Sequence, residues 1–357
     1  MSKKAFAIAG AYIAWIMGSG FATGQEIFQF FTSYGYKSYI ILIINLIGFI
    51  IVGPAVLEAG QTHRDLKDFN HFEYFCGKPL GTFYSWFLPI NMFGSLSVMI
   101  SGAGTTLYQY FGIHHLVGAL IMAVLAFLSY AIGFERFVKI ASFIGPLIIG
   151  FSLFVALITV IRNSGDISSV PSFEAELSEK SPVPFWWLSA LLYISYNLWA
   201  GSKYYSALGG EAPTRKDAVW GALIGSTVIM LAVFLMNTAL LTEIGNVIGL
   251  GVPTLYLAKN ISYILGAVFS IFLAMGIFST SSAMMWMVCE KFTVQGTRKG
   301  NIFSFIVAVL AFILGMFPFA DLIGVIYTIS GYVGFLLIGA IIYKTVRRIA
   351  GRNRKTS

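Results

Sequence analysis

Residues 14–26 read Ala-Trp-Ile-Met-Gly-Ser-Gly-Phe-Ala-Thr-Gly-Gln-Glu and lie inside the first long apolar run of the chain, where an ordinary membrane helix would carry Leu and Ile. Gly18, Gly20 and Gly24 each weaken a helix by about 1 kcal/mol relative to Ala. Backbone groups released at membrane depth need new partners, so irregular backbone survives there only where it lines an enclosed cavity. N–H groups left open at Gly18-Ser19-Gly20 suit a carboxylate, aided by the positive end of the helix that follows. The carbonyls of Ala14 and Met17, just before the break, suit a cation. Small residues also serve close helix packing. Three glycines together with Ser19, Thr23, Gln25 and Glu26 exceed what packing requires. The segment is expected to bind a solute or an ion.

Other polar groups inside apolar runs extend the candidate list. Glu26, about four-fifths of the way through the first run at ~1.5 Å per residue, could gate the outer mouth, carry a proton or pair with a solute amine. It could equally be an interfacial carboxylate. Ser279-Thr280-Ser281-Ser282 lies deep in the eighth run; its hydroxyls are hard oxygen ligands for a small cation, or they bond back to i−4 carbonyls and bend the helix. Glu58 closes the second run in Pro54-Ala55-Val56-Leu57-Glu58-Ala59-Gly60, where it either satisfies N–H groups at a helix break or reaches water. Lys203 is a possible ion-pair partner, and Tyr196, Trp199, Tyr204 and Tyr205 either wall a pocket or act as packing and interface anchors. His63, His71, His114 and His115 lack metal-ligand spacing on one helix face. No Walker or Rossmann glycine motif stands in context, so neither an enzyme nor a self-contained ATP-driven pump is expected.

These residues need membrane helices to hold them. The 357 residues are 57% hydrophobic and 11% charged, with mean hydropathy +0.81; soluble domains carry roughly 25% charged residues. Ten apolar runs can each span a bilayer: 5–31, 38–60, 84–110, 116–134, 138–161, 184–208, 218–241, 257–289, 301–317 and 320–345. The chain is expected to be all-α, polytopic and a single transmembrane domain, with no cleaved signal peptide. With the N-terminus inside, all but four of the 23 basic residues (Lys37, Arg162, Lys180 and Lys259) fall on the cytoplasmic side, including Lys67, Arg136, Lys139, Arg352, Arg354 and Lys355. That bias places both termini in the cytoplasm of a bacterial-type inner membrane and demands an even number of spans. It also accounts for the net charge of +8 without a nucleic-acid partner. Cys76 and Cys289 are too few for a disulfide framework.

An outer segment, 162–183, separates two sets of five spans, so the halves must have opposite orientation: repeat one over about 5–161, repeat two over about 184–345, then a basic tail, 346–357. Span one breaks at Gly18–Gly24 and span six around Ser195-Tyr196-Asn197-Leu198-Trp199-Ala200-Gly201-Ser202. Residues 61–78, including Lys67 and Asp68, suggest an interfacial helix. Residues 242–256 form either an outer lid or an ordinary loop.

Gly18-Ser19-Gly20-Phe21 resembles the first-helix motif of the amino acid–polyamine–organocation superfamily, and the five-plus-five arrangement resembles the leucine-transporter fold. The string through Glu26 is similar to the YkvI-type branch of bacterial membrane proteins. The resemblance spans the chain in topology and a few segments in residues. It implies that Ser19 and Gly20 amides hold a solute carboxylate and that Na⁺ binds among Ala14, Met17, Ile277, Thr280 and Ser281. Leu57-Glu58 is similar to the span-two Glu that braces both breaks. Lys139 lies at the start of span five, which disfavours a lysine in place of sodium. Phe21 stands where some members carry an Asn, so a second sodium is not expected. The expected protein moves a small solute, an amino acid or related compound, by alternating access coupled to Na⁺, with spans one, two, six and seven rocking against three, four, five, eight and nine. Gly18, Ser19, Gly20, Phe21, Glu26, Ser101, Thr105, Tyr196 and Asn197 are the expected solute contacts. Proton coupling through Glu26, or a sensor that binds without transport, are the rivals.

Overall fold

The first apolar run does not form one helix. In the computed structural model, which describes residues 2–66, 69–133 and 135–353 (backbone alone for 135–144, 164 and 349–353), it forms α1 (Lys3–Ile16), α2 (Ser19–Thr23) and α3 (Gln25–Phe30). Met17 leaves helical geometry at φ −89° and ψ 65°, and Gly24 adopts φ 76°, a region side chains with a Cβ rarely enter. There are thus two breaks where one interval was expected. Thr23 secures the second: its hydroxyl donates to the Gly20 carbonyl at 2.7 Å and accepts the Gln25 N–H at 3.3 Å.

The following helices are α4 (Ser38–Thr62), α5 (His71–Cys76), α6 (Lys78–Phe111), α7 (His115–Ile132), α8 (Glu135–Asn163) and the short α9 (Glu174–Lys180). The sixth run splits at Gly201 into α10 (Trp186–Ala200) and α11 (Ser202–Gly210). Then come α12 (Arg215–Thr242), α13 (Ile244–Val247), α14 (Pro253–Ile261), α15 (Tyr263–Glu290), α16 (Arg298–Leu314), α17 (Phe319–Leu322) and α18 (Thr328–Asn353), the last two joined by a π-helical turn, Ile323–Tyr327. All secondary structure among the described residues is helical, and seven helices are long and apolar enough to cross a membrane. Large apolar side chains exposed along α4, α7 and α16, such as Ile43, Ile47, Leu120, Phe305 and Leu310, mark the lipid face.

Three expectations change. Among the described residues of 61–78 no single helix spans the segment: α4 runs on to Thr62, and α5 has six residues with His71 and Phe72 buried. Residues 242–256 are mostly helical, forming α13 and the start of α14, and the long eighth run is two helices parted at Ser262, where φ is −163° and ψ 140°. The tail expected from 346 continues α18 to Asn353. Lys67, Asp68, Arg354 and Lys355, and the side chains of Arg136, Lys139 and Arg352, lie outside the described residues.

Two tight contacts fix the frame around the site. A Cβ on Gly60 of α4 would meet the Ser206 carbonyl of α11, and one on Gly209 of α11 would meet the Leu57 carbonyl of α4. The backbones touch, as small residues permit within membranes. Elsewhere, Glu243 at the end of α12 accepts from Asn163 of α8, from Asn246 of α13 at 2.8 Å and from Asn260 of α14 at 3.2 Å. This carboxylate ties four helices together. Replacing Gly60 by Leu should overpack the α4–α11 contact, at a cost of about 1–3 kcal/mol, and lower the thermal unfolding midpoint in detergent. Gly339→Ala, with nothing near its Cβ, should leave that midpoint unchanged.

Candidate functional site

The break between α1 and α2 opens onto a cavity of about 270 Å³ walled by α1, α2, α3, α6, α10, α15, the π-helical turn and the start of α18. Gly18, Ser19, Gly20, Phe21, Glu26, Tyr196 and Asn197 all line it. Among the described residues, no backbone hydrogen bond crosses the break from the N–H groups of Ser19 or Gly20, or to the carbonyls of Ala14 or Met17. Ser19 spans the gap with its side chain, donating toward Thr280 Oγ1 at 3.0 Å and close to the Met99 sulfur at 3.1 Å.

Glu26 is a wall of this cavity rather than an interfacial group. It lies on α3 yet is only 4% exposed, and Gly24 turns the chain so that its carboxyl folds back over α2. Oε1 accepts from the Tyr196 hydroxyl, and Oε2 stands 3.0 Å from where a Gly20 Cβ would be. Tyr196 in turn stacks on Tyr327 of the π-helical turn, with ring centroids 4.9 Å apart. A π-helical turn rotates the residues that follow it out of α-helical register, a distortion frequent at functional sites.

A second gap, about 130 Å³, sits behind the first break. Ala14, Met17, Ser19, Ser279 and Thr280 border it, together with Gly145 and Pro146 of α8. The Ala14 and Met17 carbonyls have no backbone N–H partner, and Ser19, Ser279 and Thr280 carry hydroxyls, so the lining offers oxygen donors of the type hard cations take. Ile277 and Ser281 do not border it. Both are buried within α15, and the Ser281 hydroxyl has no hydrogen-bond partner.

Ser101 and Thr105 do not reach the cavity either. Ser101 donates to the Phe317 carbonyl at 2.8 Å, and Thr105 to the Ser101 carbonyl at 3.0 Å. The cause is helix length: α6 begins at Lys78 rather than near residue 84, which shifts its middle toward Asn91, Ser95 and Met99, and these line the cavity instead. Sequence reasoning also missed Tyr327 and Ser330. The i, i+4 spacing of Asn91, Ser95 and Met99 was a usable signal; a π-helical turn leaves none. Glu58 does not brace the breaks: it is buried between Arg215 of α12 and Arg348 of α18 and pairs with both. The longer α18 brings Arg348 within reach.

A vestibule of about 560 Å³ shares Trp15, Met92, Ala200 and Met287 with the cavity and continues past Lys203 and Glu290 to the face that carries both termini. On the other face, Thr254 of α14 packs on Gly24 so closely that any Cβ there would collide. In the vestibule wall, His71 of α5 donates from Nε2 to Ser202 Oγ at 2.9 Å, since that hydroxyl itself donates to the Trp199 carbonyl.

A broken first helix, a split sixth run and a cavity between them define a multi-pass membrane protein with the leucine-transporter fold. No family model matches the chain. It is homologous to the membrane protein YkvI of Bacillus subtilis (strain 168), 24% identical over 344 residues covering 96% of each chain. It is also similar to YyaD of the same organism, 22% identical over 92% of this chain and 93% of that one. Among solved structures, the inward-facing conformation of Mhp1 superposes with a TM-score of 0.58 at 12% identity, over 95% of this chain and 75% of that one. The Eremococcus coleocola manganese transporter gives 0.53 at 16% identity, over 92% and 76%.

Burial lowers the His71 pKa from 6.5 to about 3, with Lys203 adding to the effect. The fold therefore holds the neutral ring: stability is intact above about 6.5 and falls as pH drops from there toward about 3. The unfolding midpoint should hold above about pH 6.5 and decline from there toward about pH 4, and His71→Gln should flatten that decline.

Proposed function

We propose that the chain is a secondary active transporter that moves a small solute, an amino acid or related compound, by alternating access coupled to Na⁺. The observation that carries this reading is the cavity at the α1 break, reached from one face and sealed from the other by α14 on Gly24. Structures similar in fold are those of a manganese transporter and of Mhp1 in an inward-facing conformation. Counting α1–α3 and α10–α11 as one crossing each, and adding α16, brings the seven long helices to ten, arranged five plus five. In this reading the excess of basic residues on the terminal face makes that face cytoplasmic and the conformation inward-facing.

In the cycle, α1–α4 and α10–α12 rock against α6–α8, α15 and α16. The last span travels with the first group: Ser195 donates to the Gly331 carbonyl at 2.7 Å, Trp199 to that of Ser330 at 2.8 Å, and Glu58 holds Arg348. Na⁺ in the smaller gap would join Ala14 and Met17 of the moving helix to Ser279 and Thr280 of the static one. Opening that interface would release it.

Thermal unfolding in NaCl and in choline chloride of equal ionic strength tests the coupling ion. A ligand of the folded state at 100 times its Kd stabilises by ~2.7 kcal/mol, so Na⁺ should raise the midpoint and Thr280→Ala should remove the rise. Glu26, a carboxylate buried in the cavity wall, supports a second reading, proton coupling. That reading takes over if Na⁺ and choline give one curve while uptake follows pH and is lost in Glu26→Gln.

A further inference from the structure

The solute expected from the sequence brings its own carboxylate to the open amides of Ser19 and Gly20. The structure makes that place unsuited to a second anion. α2 has five residues before the left-handed Gly24 ends it, so few peptide dipoles align to attract an anion. The Glu26 carboxyl already lies over Gly20, its Oε2 3.0 Å from a Cβ position there. Among the described residues lining the cavity, Glu26 is the one charged group; no Lys, Arg or His faces it. The vestibule basic residues, Lys203 and Lys291, lie outside the cavity lining.

We propose that the solute presents a cationic amine to Glu26 and needs no carboxylate of its own, so that the substrate class is small primary amines with an apolar body. The inference rests on the cavity being the transport site. A buried carboxylate held by neutral donors is stabilised when a cation comes to it, whereas a second carboxylate beside it is repelled. Oε1 is anchored by the Tyr196 hydroxyl, Tyr193 and Asn197 also reach the carboxyl, and Oε2 on the side of Gly20 is where an ammonium donor meets it. The stacked rings of Tyr196 and Tyr327 stand beside it, and ring faces attract ammonium groups. The rest of the wall fits an alkyl or aryl body. Met92, Met99, Met284, Met287 and Phe21 supply adaptable, polarisable apolar surface. Asn91 and Asn197 offer neutral hydrogen bonds without distinguishing a carboxylate. Glu26 is the specificity-determining residue, and an amino acid enters as an amine.

Two matched series test this on the purified full-length protein: 2-phenylethylamine, phenylalanine and N-acetylphenylalanine, and 3-methylbutylamine, leucine and N-acetylleucine. Binding is read by thermal shift and by calorimetry. The amine of at least one series should bind at least as tightly as its amino acid, and the N-acetyl compound should not bind. Glu26→Gln should weaken amine binding by tenfold or more, while Glu26→Asp, which keeps the charge, should retain part of it. Both variants are compared only as monodisperse proteins with cooperative melts; if neither melts cooperatively, Tyr196→Phe, which removes the hydroxyl donor to Oε1, should still change amine affinity while the N-acetyl compound still does not bind. Binding of an amino acid or its N-acetyl form but not of the amine, unchanged amine affinity in Glu26→Gln, or no binding in either series would overturn the proposal. Glu26-dependent amine binding without uptake or exchange in proteoliposomes would uphold it and overturn the transport reading. Uptake of amino acids that survives in Glu26→Gln would do the reverse.

Discussion

Inside a bilayer a peptide group cannot borrow a hydrogen bond from water, and every interruption of a helix must be answered by protein or by a bound ligand. The arrangement around Met17–Gly20 follows from that constraint. The chain leaves two carbonyls and two amides open at one level of the first crossing, and α6, α10, α15 and the turn before α18 gather around them. Thr23 and Gly24 then restart the chain at a new angle, which swings Glu26 inward over the open amides. Without the second break Glu26 would continue along the helix away from the cavity. The inward position of Glu26 and the backbone geometry of the break are therefore set by the same nine residues, 18–26.

The two faces of the molecule are held together by different physics. On the face away from the termini, the seal is steric: Thr254 against a glycine that has no side chain, with α13 and α14 held in place by the amides that surround Glu243. Such contacts are short-ranged and part cleanly when a helix tilts. On the terminal face, Glu58 between Arg215 and Arg348 links α4, α12 and α18. Removing one arginine would leave the carboxylate held by the other, whereas removing Glu58 would set two like charges side by side. An ion pair joins the helices that travel together in the proposed cycle, and a dismantlable steric contact lies where they must separate.

Much of this was legible in the sequence because the physics is local. Three glycines clustered with Ser19, Thr23, Gln25 and Glu26 at membrane depth mark a break, and Gly18, Ser19, Gly20, Phe21, Glu26, Tyr196 and Asn197 do meet at one cavity. What failed depended on lengths and registers that apolar runs do not encode. The amphipathic start of α6, from Lys78, does not read as part of an apolar span, and so the wall was placed at Ser101 and Thr105 rather than at Asn91 and Ser95. Ile277, Thr280 and Ser281 were assigned by resemblance; the helical rotation of α15 brings Thr280 to the gap, with Ser279 in place of the other two. Glu58 found partners, Arg215 and Arg348, that are distant in sequence and set by tertiary packing. Tyr327 depends on a π-helical turn, which has no compositional mark.

The central claim is that the cavity at the α1 break opens to one side of the membrane at a time. Ala200, at the end of α10, lines both the cavity and the vestibule. With Cys76 and Cys289 replaced by Ser, an Ala200→Cys protein can be treated with a membrane-impermeant maleimide in right-side-out and in inverted vesicles. The account predicts modification from the face that carries the termini and little from the other. Equal modification from both faces would describe an open channel, and would contradict it.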